Sequence, residues 1–353
     1  MRDIKLDLIR GVAMITIAIN HFGSMIQELG YDSPKIPTLT TVGYSSAAEI
    51  FFVLSGYMIG LVYLKKDDYA RRIRYRSWEL YKHNLAAFIA AMLVACLFPA
   101  ISEVVSAQFT LDRPLVGSLT FLAFFQHPDL LGVLQLYVVL MLVTPSFVWL
   151  LRRSPALAVA TSVAVYGAAQ LVPVLNLPGG SPEGDWQWNF NPFAWQLLFF
   201  LGIVAGKTSL HVRLSNWLSA SPVRASLVIT AFVGAALYHR LALWGYVPGL
   251  PADKETLSPI RVVHSALAIM FLFSIAVLLG DELMNTRASR VVSAIGQSTL
   301  LCYTLSIPLT YAMAGIWLAW GGGVLVYLTG VATILVCITA AAHWGKIGFA
   351  RAA

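Results

Sequence analysis

Three ionisable residues stand on the first apolar run of the chain: Asp7, Arg10 and His21. Charge or imidazole inside hydrocarbon is expensive, so such residues point to chemistry or to pairing. Asp7 and Arg10 are three apart, on one helix face where they can pair. His21 follows Arg10 by eleven positions, about 16 Å of helical rise, which sets the imidazole beyond the midplane. A second run, AAEIFFVLSGYMIG, opens with Glu49. Measured from the ends of their runs, Glu49 and His21 agree in depth within roughly 3 Å. A carboxylate beside an imidazole fixes its tautomer and raises its basicity, leaving the other nitrogen to take a proton from a hydroxyl. His21 and Glu49 are therefore a candidate catalytic pair. A purely structural contact between two helices fits the same spacing.

Basic residues crowd the segment KKDDYARRIRYRSWELYKHN, with Arg71, Arg72, Arg74 and Arg76 at its centre. Guanidinium forks suit phosphates, those of coenzyme A or of inner-leaflet lipid among them. Positive-inside bias alone would also collect arginines here. The stretch 176–195, NLPGGSPEGDWQWNFNPFAW, carries Trp186, Trp188, Asn191 and Trp195. Its rings suit either an interfacial belt or a rim that stacks on sugar faces. Gln196 sits just inside the next run, and Arg261 and His264 head a later one. Each could line a polar tunnel, and Arg261 has the charge to hold a carboxylate. Ser55-Gly56 lacks the G-x-S-x-G elbow of a nucleophilic serine, and Gly56 with Gly60 reads as close helix packing. His21, His83, His127 and His264 are scattered in depth, so no metal site is expected.

The elements that must position these residues are helices in a bilayer. Of the 353 residues, 58% are hydrophobic and 12% charged, with a mean hydropathy of +0.73. A soluble domain carries roughly 25% charged residues, and half of that cannot cover a water-exposed globule. Ten apolar runs approach the ~20 residues a span needs: 8–29, 45–64, 84–104, 130–151, 155–175, 192–208, 222–244, 260–281, 297–318 and 322–343. The run 115–125 is too short and reads as re-entrant or interfacial. No alternation with period two suggests strands. The expected fold is all-α, about ten transmembrane helices in a single polytopic domain over 1–353. With both termini inside, all of the 24 lysines and arginines except Lys35, Arg113, Arg240, Lys254 and Arg261 fall on the inner side. The net charge of +7 then meets anionic lipid, and no nucleic-acid partner is expected. Cys96, Cys302 and Cys337 each lie in apolar runs and read as packing residues. Arg2 and Lys5 precede the first run without a small-x-small cleavage site, so it reads as a retained helix.

In this order the motifs resemble the OpgC-like membrane acyltransferases, related to the wider acyltransferase-3 group. The resemblance covers nearly the whole chain: MRDIKLDLIRG with Asn20-His21, AAEIFFVLSGYMIG, RRIRYRSWELYKHN, LQLYVVLMLVTP, NPFAWQLLFFLG and IGQSTLLCYTLSIP. Arg10 with His21 matches the wider group's first-helix signature, and Arg71 with Arg74 its R-x-x-R. NPFAWQLLFFLG favours the OpgC-like branch. The resemblance implies O-acyl transfer from acyl-CoA to an extracytoplasmic carbohydrate, with His21 as base and Arg10, Arg71 and Arg74 near the donor. That branch is associated with succinylation of osmoregulated periplasmic glucans in Gram-negative bacteria. The expected localisation is the bacterial inner membrane, the donor acyl-CoA or succinyl-CoA, and no permanently bound cofactor. An exporter or assembly partner for a glycan or lipid is the rival reading, using the same intramembrane charges as a polar pathway.

Overall fold

Among the described residues, five α-helices begin with proline in the first turn, where the missing N–H has no helical partner to lose and the fixed φ is already helical. Side-chain caps add to this: Ser154 accepts from the Leu157 amide and Asn191 from the Phe193 amide. The computed structural model describes residues 4–172, 174–179, 187–280, 282 and 286–352, with the backbone alone for 345–352. Among these the elements are α1 Ile4–Glu28, α2 Ala47–Met58, α3 Tyr69–Leu97, α4 Gln108–Asp112, α5 Pro114–Leu122, α6 Gly132–Arg153 and α7 Pro155–Leu171. There follow α8 Pro192–Lys207, α9 Leu210–Ser219, α10 Pro222–Leu243, α11 Pro259–Leu278, α12 Arg287–Gln297, α13 Thr299–Ala319 and α14 Val324–Ala352.

The fold is all-α and of membrane type. α1, α3, α6, α10, α11, α13 and α14 each contain an apolar stretch long enough to cross a bilayer. α8 and α9 together form an apolar pair bent by 75°, while α7 and α2 with its π-helical extension Ile59–Tyr63 are shorter apolar helices. Each of the ten runs thus falls on a helix, and seven of those helices reach span length unaided. The short run 115–125 yields only the nine-residue α5.

α1 touches α2, α11, α12, α13 and α14, so the helix carrying Arg10 and His21 runs through the interior. Two seams bring backbones together. In the first, Gly56 of α2 and Gly60 of its π-helical extension face the carbonyls of Phe199 and Ile203, and Gly202 and Gly206 of α8 face those of Val53 and Tyr57. A Cβ at any of the four would collide with the opposing carbonyl oxygen, which is why small residues recur every fourth position. In the second seam, Gly11 of α1 lies against Val292 and Gly296 of α12 against Asp7.

Candidate functional site

At the Arg10 end of α1 a cavity of about 250 Å³ is lined by Arg10, Ser55, Tyr63, Arg76, Tyr137 and Thr299, with Phe51 among its apolar walls. Arg10 donates to Thr299 Oγ1 at 2.9 Å and lies 3.7 Å from Asp7, which also accepts from Gln297 at 3.0 Å. Asp7 and Arg10 therefore pair as their spacing predicts, and the α12–α13 junction holds both heads. The basic segment divides by helix face. α3 buries Ile73, Ser77 and Leu80, and Arg76 sits beside that stripe, half-buried and turned into the cavity. Arg71, Arg72 and Arg74 are exposed and do not line it. Arg72 donates to Asp68 at 2.7 Å, and this hydrogen bond holds the Asp68 carboxyl below its ordinary range.

At the other end of α1, a cavity of about 110 Å³ is lined by Asn20, His21, Ser24, Thr40, Ser46 and Lys254. Asn20 accepts from the Thr38 hydroxyl at 2.8 Å, which fixes the loop over this cavity. His21 Nδ1 is buried with no hydrogen-bond partner, so the second ring nitrogen is the one left to the cavity. Packing orients the ring: Tyr303 meets it edge-on at 5.8 Å between centroids. Tyr303 in turn stacks on Phe51 at 6.2 Å and donates to the Leu130 carbonyl at 2.8 Å. Since Phe51 walls the Arg10 cavity, a file of three rings runs from one cavity to the other.

Glu49 does not join His21. Its Oε2 accepts from the Ser46 amide at 2.8 Å and from the Ser46 hydroxyl, closing a capping box at the start of α2. Its Oε1 takes Arg261 Nε at 2.7 Å. A local cap and a guanidinium fork occupy the carboxylate before the imidazole can reach it. The expected catalytic pair is thus replaced by a buried ion pair. It shapes the site at one remove, because Ser46, Ala47 and Ala48 form a wall of the His21 cavity.

Arg261 faces the first turn of α2, and His264 the segment just before it. Arg261 also donates to the Ala252 carbonyl at 3.3 Å. His264 Nδ1 accepts the Ser45 amide at 3.1 Å and pairs with the Ser45 hydroxyl at 2.7 Å. Among the described residues of the aromatic stretch, Trp188, Asn191 and Trp195 do not form an open sugar rim either. Trp195 is wholly buried against Phe52 and Phe190, and Trp188 is buried beside Phe124. Asn191 caps α8 and donates to the Leu175 carbonyl at 2.7 Å. Gln196 is tied to Ser162 at 2.6 and 2.8 Å and borders a separate apolar groove. Trp186 lies outside the described residues.

Lys254 and Thr299 line the two cavities, and sequence reasoning gave neither a role. Lys254 read only as one more basic residue of an outer loop, and no spacing links it to His21.

No curated protein and no solved structure matches the chain. The family model described as OpgC protein matches residues 2–347, nearly end to end, and spans both cavities. The chain belongs to the OpgC protein family.

Proposed function

We propose that this protein is an integral membrane O-acyltransferase of the bacterial inner membrane, passing an acyl group from acyl-CoA to a carbohydrate hydroxyl outside. The observation that carries the reading is the pair of cavities at opposite ends of α1, one with two arginines and one with a histidine, joined by the file His21, Tyr303, Phe51. Phosphates of coenzyme A bind at the cytoplasmic mouth against Arg10 and Arg76. The pantetheine arm, roughly 15–20 Å by chain extension, matches the ~16 Å rise from Arg10 to His21.

The acceptor enters from outside. His21 takes the hydroxyl proton on its cavity-side nitrogen as the oxygen attacks the thioester carbonyl. The C–S bond then breaks, and the leaving thiolate takes that proton and departs as free coenzyme A. A glucan is the acceptor to try first and succinyl-CoA the donor, both on the strength of family membership.

The test is free-thiol release by purified protein given acetyl-CoA or succinyl-CoA with a glucan, wild type against His21→Ala. Acceptor-dependent release that vanishes in a folded His21→Ala protein supports the proposal. No release with any donor, from a folded protein that binds glycan, would transfer the case to export or assembly.

A further inference from the structure

We infer that Lys254 is a catalytic cation of the His21 cavity, placed to hold the negative charge that develops on the acyl carbonyl oxygen. The inference rests on the acyl-transfer reading and deepens it. Lys254 belongs to the loop between α10 and α11, yet it lines the same small cavity as His21. That cavity has room for only a few water-sized groups, so whatever reacts at the imidazole is also within reach of the ammonium.

Three features separate this lysine from an ordinary outer-surface one. First, its ammonium has no hydrogen bond and no ion pair among the described residues; its recorded neighbour is the Phe190 ring at 5.1 Å. Glu49 is near enough to attract it, but that carboxylate is already engaged by Arg261 and Ser46. An unpaired cation beside a candidate base is a functional arrangement more than a stabilising one.

Second, the loop is fastened where it carries Lys254. Trp195 Nε1 donates to the Lys254 carbonyl at 3.0 Å, and the Asn191 amide to that of Glu255 at 3.0 Å. Gln170 donates to the Thr256 carbonyl at 2.6 Å and Tyr166 to that of Leu257 at 2.8 Å. Donors from α7, α8 and the α8 cap thus hold four successive residues, fixing the point from which the side chain reaches in.

Third, Lys254 stands at a boundary. Much of the residue is open to the outside, yet it also lines the small cavity that holds His21. Loss of water around the ammonium lowers its pKa, Glu49 opposing and Arg261 adding to the shift. A lysine so placed has little of its charge spent on a partner.

The acceptor proton goes to His21, the acceptor oxygen bonds to the thioester carbon, and the carbonyl π pair moves onto oxygen. Lys254 holds that oxyanion and keeps its own proton throughout. Collapse of the adduct reforms the carbonyl and expels the thiolate, which is protonated by the imidazolium.

The experiment compares Lys254→Gln, Lys254→Met and Lys254→Arg with wild type in the full-length purified protein, with acetyl-CoA and succinyl-CoA as separate donors. Thermal unfolding of each variant shows that it is folded. The expected result is a kcat lower by about 10²–10³-fold for the Gln and Met variants with both donors. KM for either donor should stay within a few-fold, and Lys254→Arg should recover part of the rate. The charged or titratable groups around the ammonium are His21 from α1, Glu49 from α2 and Arg261 from α11. The wild-type alkaline limb of kcat should lie below ordinary lysine titration and be absent in Lys254→Arg. Loss confined to succinyl-CoA would overturn the proposal and make Lys254 a reader of the acyl carboxylate; an unchanged kcat would overturn it outright. A wild type that releases no thiol with either donor marks failure of the acyl-transfer reading itself.

Discussion

Arg261 reaches Glu49 Oε1 through Nε at 2.7 Å, and its Nη2 closes on the same oxygen. Both side chains are buried, at 9% and 0% exposure. The pair joins α11 to the first turn of α2, and the carboxylate's other oxygen holds Ser46 in the wall of the His21 cavity. Glu49 thus acts on the site through the backbone it anchors.

Glu49→Gln should therefore lower stability by ~3–5 kcal/mol, because it leaves the Arg261 guanidinium buried without its partner. The double variant Glu49→Gln with Arg261→Met should regain much of that loss. Thermal unfolding in detergent reads both. A Glu49→Gln protein of normal stability but without activity would instead return Glu49 to the imidazole.

Under the proposed function, Arg10→Gln and Arg76→Gln should each raise KM for the acyl-CoA donor by about 10- to 100-fold, the worth of one charge-assisted hydrogen bond. Arg71→Gln and Arg74→Gln should stay within a few-fold, since neither lines the cavity. Steady-state kinetics on the four variants decides it, and the opposite ranking would put the donor on the exposed face of α3.

Phe51→Ala should remove the Arg10-side end of the ring file that separates the two cavities. Thiol release without acceptor should then rise relative to ester formation, as water gains access to the thioester. Measuring both products in one assay gives the ratio. A ratio unchanged from wild type would mean that Phe51 does not separate donor from water.

Gly206→Leu should abolish folding rather than tune activity, because its side chain would enter the Tyr57 carbonyl. The cost should exceed the ~1–3 kcal/mol of ordinary overpacking, since backbone cannot step aside as a side chain can. Size-exclusion behaviour in detergent is the readout, and a monodisperse, active variant would show that the seam can open.

Depth along a helix was legible in the sequence, and direction around it was not. The eleven positions from Arg10 to His21 carry α1 from one cavity to the other, because rise per residue is constant. The same reasoning levelled Glu49 with His21 but could not tell that Ser46 and Arg261 would claim the carboxylate. Arg76 and Arg74 are near neighbours in sequence, yet the buried stripe of α3 turns only Arg76 inward. Trp188 and Trp195 looked like a surface because aromatic residues in a Pro- and Gly-rich stretch often are one; here they are packing. Lys254 was out of reach, since its placement depends on hydrogen bonds from Tyr166, Gln170, Asn191 and Trp195, far away in the chain.

The glycine seam between α2 and α8 bears on how anything could cross this protein. Where carbonyls rest against bare α-carbons, one helix cannot slide past the other without steric collision, so the two move as one piece. α2 carries Phe51 and Ser55 into one cavity and Ser46 to Ala48 border the other. Both mouths therefore belong to a single rigid wall. Any widening of either mouth therefore falls to the helices that face this wall, with Arg10, Arg76, Tyr137 and Thr299 opposite it at one mouth and Asn20 and His21 at the other. The wall is the fixed jaw against which those helices close.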